Sequence, residues 1–191
     1  MIQRIFIAIP LPEEIKKDLI GIQNQYNLPV KWVDSESLHV TLLFLGAVRS
    51  DQVSRIIRIT EKIVNKYSTF FLDFKKIAYG PNATIPPQFI WLEGEDNNLF
   101  KRIRNEIDQK LKSEKLYYLS GQHDEIKIHV TLGRIRKWEW AKINPEDREA
   151  VDRTVDFKIP VNEILIMESK LTPGRPPKYS ILERVPLKIS E

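Results

Sequence analysis

Two of the chain's three histidines open the same four letters, His-Val-Thr-Leu, at His39–Leu42 and again at His129–Leu132. In an extended strand, residues two apart share a face. His39 and Thr41 therefore lie on one side of their strand, with Val40 and Leu42 on the other. His129 and Thr131 repeat the arrangement against Val130 and Leu132. Two such strands lying close together would bring two imidazoles and two hydroxyls to one cleft. That set suits a phosphate ester. Threonine hydroxyls donate to non-bridging oxygens, a neutral imidazole takes a proton from water, and an imidazolium gives one to a leaving oxygen. Neighbouring rings disfavour being charged together, so one neutral and one protonated ring are expected near pH 7. Residue types alone leave open which ring is which.

Metal binding is the competing use of two histidines. No third or fourth ligand stands at a recognisable spacing, and threonine is a poor ligand. The absence of cysteine removes thiolate ligands, disulfides and thiol nucleophiles. The expectation is acid–base chemistry with no metal and no cofactor. His123, outside the repeat, reads as a structural histidine.

The elements that must position these residues follow from periodicity. "RIFIAIP" is a buried strand, and "VKWVD" and "LHVTLLFLG" are strands separated by the Ser35-Glu36-Ser37 turn. A helix between the first two carries Ile15, Leu19 and Ile22 at helical spacing. A longer one, "SDQVSRIIRITEKIVNKY", opens on Ser50 as a cap. "FFLDFKKIAYG" and "QFIWLEG" are strands, "DNNLFKRIRNEIDQKLKSE" is a second long helix, and "IKIHVTLGRI" is the second motif strand. A short helix is expected around "NPEDREAV", then strands "TVDFKIPV", "EILIMESKL" and "YSILERV", the last two joined by the rigid loop "TPGRPPK". Each half thus offers a strand, a helix and a His-x-Thr strand. This predicts an α+β fold over residues 1–191 in two similar lobes.

Thirty Lys and Arg against 26 Asp and Glu leave a net charge of +4 with the signs interspersed, a mild bias compatible with a phosphate-bearing ligand. The opening "MIQRIFIAIPLPEE" has no small-residue cleavage site and reads as a strand entering a helix. No apolar run approaches the roughly 20 residues of a membrane span. A cytoplasmic monomer is the expectation.

The paired motif with its flanks, "RIFIAI", "HVTLLFLG", "HVTLGR" and "SKLTPGRPPKYSIL", resembles the two-histidine phosphoesterase superfamily. Its details are similar to the RNA 2′,3′-cyclic phosphodiesterase branch, also called the 2′-5′ RNA ligase family. The resemblance implies a bilobal fold, with two pseudo-symmetric lobes whose antiparallel sheets face a central cleft and whose helices pack outside. It implies hydrolysis of a 2′,3′-cyclic phosphate on an RNA 3′ end to a 2′-phosphate. It implies that His39 is the proton donor to the departing 3′ oxygen and His129 the acceptor from water, with Thr41 and Thr131 holding the phosphate. It also implies that Phe44 and Arg134, each five positions after its histidine, flank the terminal base, as an aromatic face and a guanidinium plane stack on any base. Five is an odd offset, so an ideal strand would aim both residues away from the histidines. The clamp requires a bulge, for which Gly133 is suited in the second copy. Phe6 either faces the cleft floor or is simply buried, while Arg175 and Lys178 read as solvated loop residues.

No Lys-x-Asp-Gly and no glycine-rich loop ending in Gly-Lys-Ser/Thr is present, so any 2′-5′ joining would be the reverse of a transesterification at the same site. The alternatives are a phosphodiesterase of small 2′-5′ oligonucleotides or cyclic mononucleotides, and a non-catalytic binder of RNA ends.

Overall fold

In the computed structural model, which describes residues 1–81, 86–117, 127–174 and 176–189, the chain opens with β1 (Ile2–Pro10). Its residues Ile5 to Ile9 are all buried, as in a strand covered on both faces. There follow α1 (Glu13–Gln23), β2 (Val30–Trp32), a single 3₁₀ turn at Ser35–Ser37, β3 (His39–Arg49) and α2 (Ser50–Val64). Then come β4 (Phe70–Gly80), β5 (Phe89–Gly94), α3 (Asn98–Ser113) and β6 (His129–Ile135). A four-residue helix α4 (Lys137–Trp140) leads to β7 (Asp152–Val161), β8 (Glu163–Lys170) and β9 (Lys178–Pro186).

The strands pair antiparallel in the order β7-β4-β5-β6-β3-β1-β8-β9, and the short β2 adds to β6. The path divides into two groups of four that mirror one another, β3-β1-β8-β9 and β6-β5-β4-β7. Between the groups the named strands share one register pair, Val40↔Val130, the middle letters of the two His-x-Thr motifs. The α+β architecture with two related antiparallel sheets is the one expected from the sequence.

One face of β1 carries Ile5, Ile7 and Ile9 into the main core, which α2 seals with Val53, Ile56 and Ile63 and α3 with Phe100, Ile103, Ile107 and Leu111. The other face carries Phe6 and Ala8 into a small separate cluster with Leu165 and Met167, against which Phe44 and Tyr179 pack. The helices thus lie on one side of the sheet and the histidines on the other.

Several local expectations need correction. Ser50 does not cap α2: Arg49 occupies the cap position, and the Ser50 hydroxyl donates instead to the Met1 carbonyl, 2.9 Å away. The cap with a side-chain bond is Asn97 on α3, whose Oδ1 accepts from the Phe100 amide at 3.0 Å. "NPEDREAV" is not an α-helix; only Pro145–Asp147 make a 3₁₀ turn. Tertiary pairing overrides local propensity there. Tyr79 donates to the Glu149 carbonyl, the Arg148 guanidinium to that of Ile143, and β7 begins by Asp152. β3 runs past Gly46 to Arg49, with Gly46 at φ 72° where Leu45 is the extra residue against β1. His123 and Arg175 lie outside the described residues.

Candidate active site

β3 and β6 meet antiparallel at Val40↔Val130, so the register sets His39 beside Thr131 and Thr41 beside His129. The four chemistry-bearing residues occupy the corners of a square, like types on the diagonals. Val40, Leu42, Val130 and Leu132 are buried in the main core on the opposite face, which holds both strands in this orientation. A one-residue slip of either strand would turn its histidine into that core.

Both motifs contain the bulge that the five-residue offset demands. On β3, Ala8 pairs with Thr41 but Ile7 with Leu43, leaving Leu42 as the extra residue. On β6, Trp91 pairs with Thr131 but Ile90 with Gly133, leaving Leu132 extra. Each bulge reverses strand parity, so Phe44 and Arg134 return to the histidine face. Gly133 has a different task from the one expected. A Cβ there would stand 2.3 Å from Val30 Cγ1 and 2.8 Å from Trp32 Cε3, so its bare backbone admits the close approach of β2.

The imidazoles are held alike. His39 Nδ1 lies 2.8 Å from the Ser37 carbonyl and His129 Nδ1 2.8 Å from the Lys127 carbonyl, each two residues upstream. A carbonyl only accepts, so Nδ1 carries the proton and Nε2 of the neutral ring is left with its lone pair for chemistry. Burial lowers the pKa of both rings. His39 is lowered further by His129, and the bond to Ser37 opposes this in part. For His129 the bond to Lys127 and the charge of Glu93 oppose burial, while the Lys127 charge assists it. Glu93 is opposite His129 in β5 and bonds Lys127 at 2.9 Å, whereas Pro10 is opposite His39. The expected pairing of one charged and one neutral ring near pH 7 therefore needs an amendment. Burial biases both rings toward neutrality, and a bound phosphate anion would have to supply the field that retains one proton.

The aromatic surroundings differ. Trp91 stacks on His129, with ring centroids 4.0 Å apart and planes 22° from parallel. His39 meets Phe6 at a tilt, 5.1 Å, and Tyr179 in a T-shaped contact, 5.5 Å. The motif residues open into a cavity of about 620 Å³ lined by His39, Thr41, His129, Thr131 and Arg134, and further by Lys31, Asp34, Phe89 and Tyr179. Leu171, Pro176 and Pro177 of the closing loop form part of its wall.

Of the expected residues, His39, Thr41, His129, Thr131 and Arg134 converge on this cavity. The Arg134 guanidinium sits 4.9 Å over the Phe89 ring. Phe44 shares the face but is not in the lining; it packs against the small cluster that holds Phe6, under the Arg4 guanidinium, 5.6 Å away. Phe6 is not in the lining either: it is buried in the small cluster, with its ring tilted against His39. Sequence reasoning missed Trp91, Phe89, Tyr179 and Lys31. The alternation of Phe89 and Trp91 in "QFIWLEG" was the available signal for the first two, because aromatics two apart face the same way.

The family model of LigT-like phosphoesterases matches residues 9–91, which include the first motif. A Methanocaldococcus jannaschii protein named RNA 2′,3′-cyclic phosphodiesterase is 32% identical over 175 residues, covering 91% of this chain and 95% of its own. The chain belongs to the LigT-like phosphoesterases. A second such phosphoesterase, also named RNA 2′,3′-cyclic phosphodiesterase, from Archaeoglobus fulgidus, is 28% identical over 184 residues, 91% of this chain and 94% of that one. The crystal structure of TT0787 of Thermus thermophilus superposes with a TM-score of 0.82 at 25% identity, covering 98% of this chain and all of the other. The LigT-like fold thus spans both His-x-Thr strands.

Proposed function

We propose that the protein hydrolyses the 2′,3′-cyclic phosphate at RNA 3′ ends to a 2′-phosphomonoester, without metal, using His39 as proton donor and His129 as acceptor. The observation that carries this reading is the diagonal square of two imidazoles and two hydroxyls at the β3–β6 crossing. The names of relatives that match over nearly the whole chain support the substrate class.

In this reading Thr41 and Thr131 donate to the two non-bridging oxygens. His129 Nε2 takes a proton from water as its oxygen bonds to phosphorus, the bond from phosphorus to O3′ breaks, and His39 Nε2 delivers its proton to O3′. The 2′ ester remains, and the imidazolium of His129 and neutral His39 exchange their proton with solvent. One feature favours this division of roles: the charge of the Glu93 carboxylate raises the basicity of His129, whereas the residue opposite His39 is Pro10. Since one chain supplies all four groups, we infer that a monomer suffices. Joining of 2′-5′ ends would be the reverse transesterification, with a 5′-hydroxyl in place of water.

The deciding experiment incubates an RNA oligonucleotide ending in 2′,3′-cyclic phosphate with the protein in excess EDTA and resolves 2′- from 3′-phosphate. A 2′-phosphate product that is lost in both His39→Ala and His129→Ala supports the reading. Turnover that requires a divalent ion, or that survives His129→Ala, overturns it.

A further inference from the structure

We propose that Lys31 and Arg134 form a second anion subsite, which takes the phosphodiester on the 5′ side of the terminal nucleotide and makes an oligonucleotide end, not a cyclic mononucleotide, the preferred substrate. This rests on the phosphodiesterase reading above and adds to it which length of substrate the cavity is built for.

Lys31 and Arg134 are direct cross-strand partners in the β2–β6 ladder. Side chains directly opposite in an antiparallel pair share a face, and like charges in such positions repel. Both line the cavity, and both are exposed at its rim. Among the described residues neither makes an ion pair: the contact of Arg134 is with the Phe89 ring, and Asp34, the one carboxylate in the lining, lies within ion-pair distance of neither. Two cations held side by side without a counter-charge favour an anion between them, and a guanidinium and an ammonium are the usual donors to phosphate.

The placement is built into the fold. β2 is three residues long, yet it is fixed at both ends. Val30 and Trp32 fill the space that the missing Gly133 side chain leaves, and Trp32 meets Tyr26 in a tilted ring contact. From the α1 side, Gln23 Nε2 donates to the carbonyls of Val33 and Leu132 at 3.1 and 3.0 Å, tying the two strands together. The Lys31 backbone is thus anchored on either side while its side chain is exposed at the cavity rim. The bulge at Leu132 returns Arg134 to the face of Thr131, about two strand rises or roughly 7 Å along the chain. One ribose with its 5′ oxygen spans that interval. Among the described residues the other motif strand has Phe44 at the equivalent position and no strand added beside it, so no matching cross-strand cation pair lines the cavity there.

The test compares wild type, Lys31→Ala and Lys31→Arg on two substrates with the same terminal base, a nucleoside 2′,3′-cyclic monophosphate and a dinucleotide ending in the cyclic phosphate. The wild type is expected to prefer the dinucleotide in kcat/KM, and Lys31→Ala to cut that preference by about tenfold, the usual loss of one charged hydrogen bond to phosphate. Lys31→Arg should restore it. The slope of log kcat/KM against log salt on the dinucleotide should shrink by about 0.7 in Lys31→Ala, as for one phosphate contact on a single strand. Removing a cross-strand repulsion should leave the melting temperature unchanged or raise it, so a misfolded variant is not the expected confounder. An unchanged preference, or equal losses on both substrates, overturns the subsite. If the wild type turns over neither substrate, the phosphodiesterase reading fails separately, and the same three proteins are titrated with the two compounds by calorimetry. A dinucleotide-specific loss of affinity in Lys31→Ala then upholds the subsite, and its absence overturns it.

Discussion

The indole of Trp91 lies nearly parallel to the imidazole of His129, 22° between planes and 4.0 Å between centroids. The same position of the other half is Ala8, opposite Thr41 as Trp91 is opposite Thr131. His129 therefore has a ring stacked on it, whereas the aromatic contacts of His39 are tilted and T-shaped. A ring face stabilises an adjacent cation by about 0.5–2 kcal/mol, most for tryptophan. Gly80 makes the arrangement possible, since a Cβ there would stand 2.2 Å from Trp91 Cδ2. Trp91→Leu keeps the site buried but removes the π face. The His129 pKa, followed by NMR of the ring protons, should fall by about half a unit, and Trp91→Phe should recover most of it. A rise in Trp91→Leu would mean that the indole acts by excluding water instead. The Trp91 indole N–H is buried without a partner, so Trp91→Phe should cost little stability.

Burial lowers the proton affinity of both histidines from the ordinary 6.5. Catalysis by a donor and an acceptor needs one proton on the pair, a state most populated between its two apparent pKa values. With both values lowered, the optimum of kcat/KM on a cyclic-phosphate substrate should lie below about pH 6.5. Activity should decline above it as the remaining proton leaves, and below it as the second binds. An optimum above pH 8 in a pH–rate profile would contradict this.

The threonine hydroxyls sit at equivalent corners of the site. If each donates to one non-bridging oxygen as charge builds there, Thr41→Val and Thr131→Val should each lower kcat on the order of 10²-fold with smaller changes in KM. Steady-state kinetics on cyclic-ended RNA would show this, and a pure KM effect would reduce the threonines to binding groups.

Gly133 is packed under β2, with Val30 Cγ1 2.3 Å from where a Cβ would lie. Gly133→Ala should cost about 1–3 kcal/mol by overpacking, read as a lower midpoint in urea. It should also weaken oligonucleotide binding, because Lys31 rides on the displaced strand.

The sequence made the reactive set legible because a rare residue recurred in an identical short context, and strand alternation then fixed which neighbours share its face. The odd spacing of Phe44 and Arg134 even required the bulges, which occur at Leu42 and Leu132. What it could not supply was register between strands distant in sequence. Trp91 and Tyr179 reach the histidines only because β5 pairs with β6 and β9 lies beyond β8, and no local pattern encodes that. Lys31 was similarly invisible, its meaning arising from the residue opposite. The errors at Ser50 and at residues 144–151 share a cause: local capping and helix signals lost to contacts with the Met1 carbonyl and with Tyr79.

The antiparallel crossing at Val40 and Val130 has a local two-fold axis perpendicular to the sheet, and a phosphodiester carries an approximate two-fold axis of its own through phosphorus. A site with only the two histidines and two threonines would accept the ester in either of two orientations, half of them presenting the leaving oxygen to the wrong ring. Trp91 stands where the axis places Ala8 on the other side, and the Lys31–Arg134 pair has no counterpart among the described residues. In the proposed reaction this asymmetry would decide which end of the nucleic acid chain leaves the cavity on which side, and so would give direction to a symmetric core.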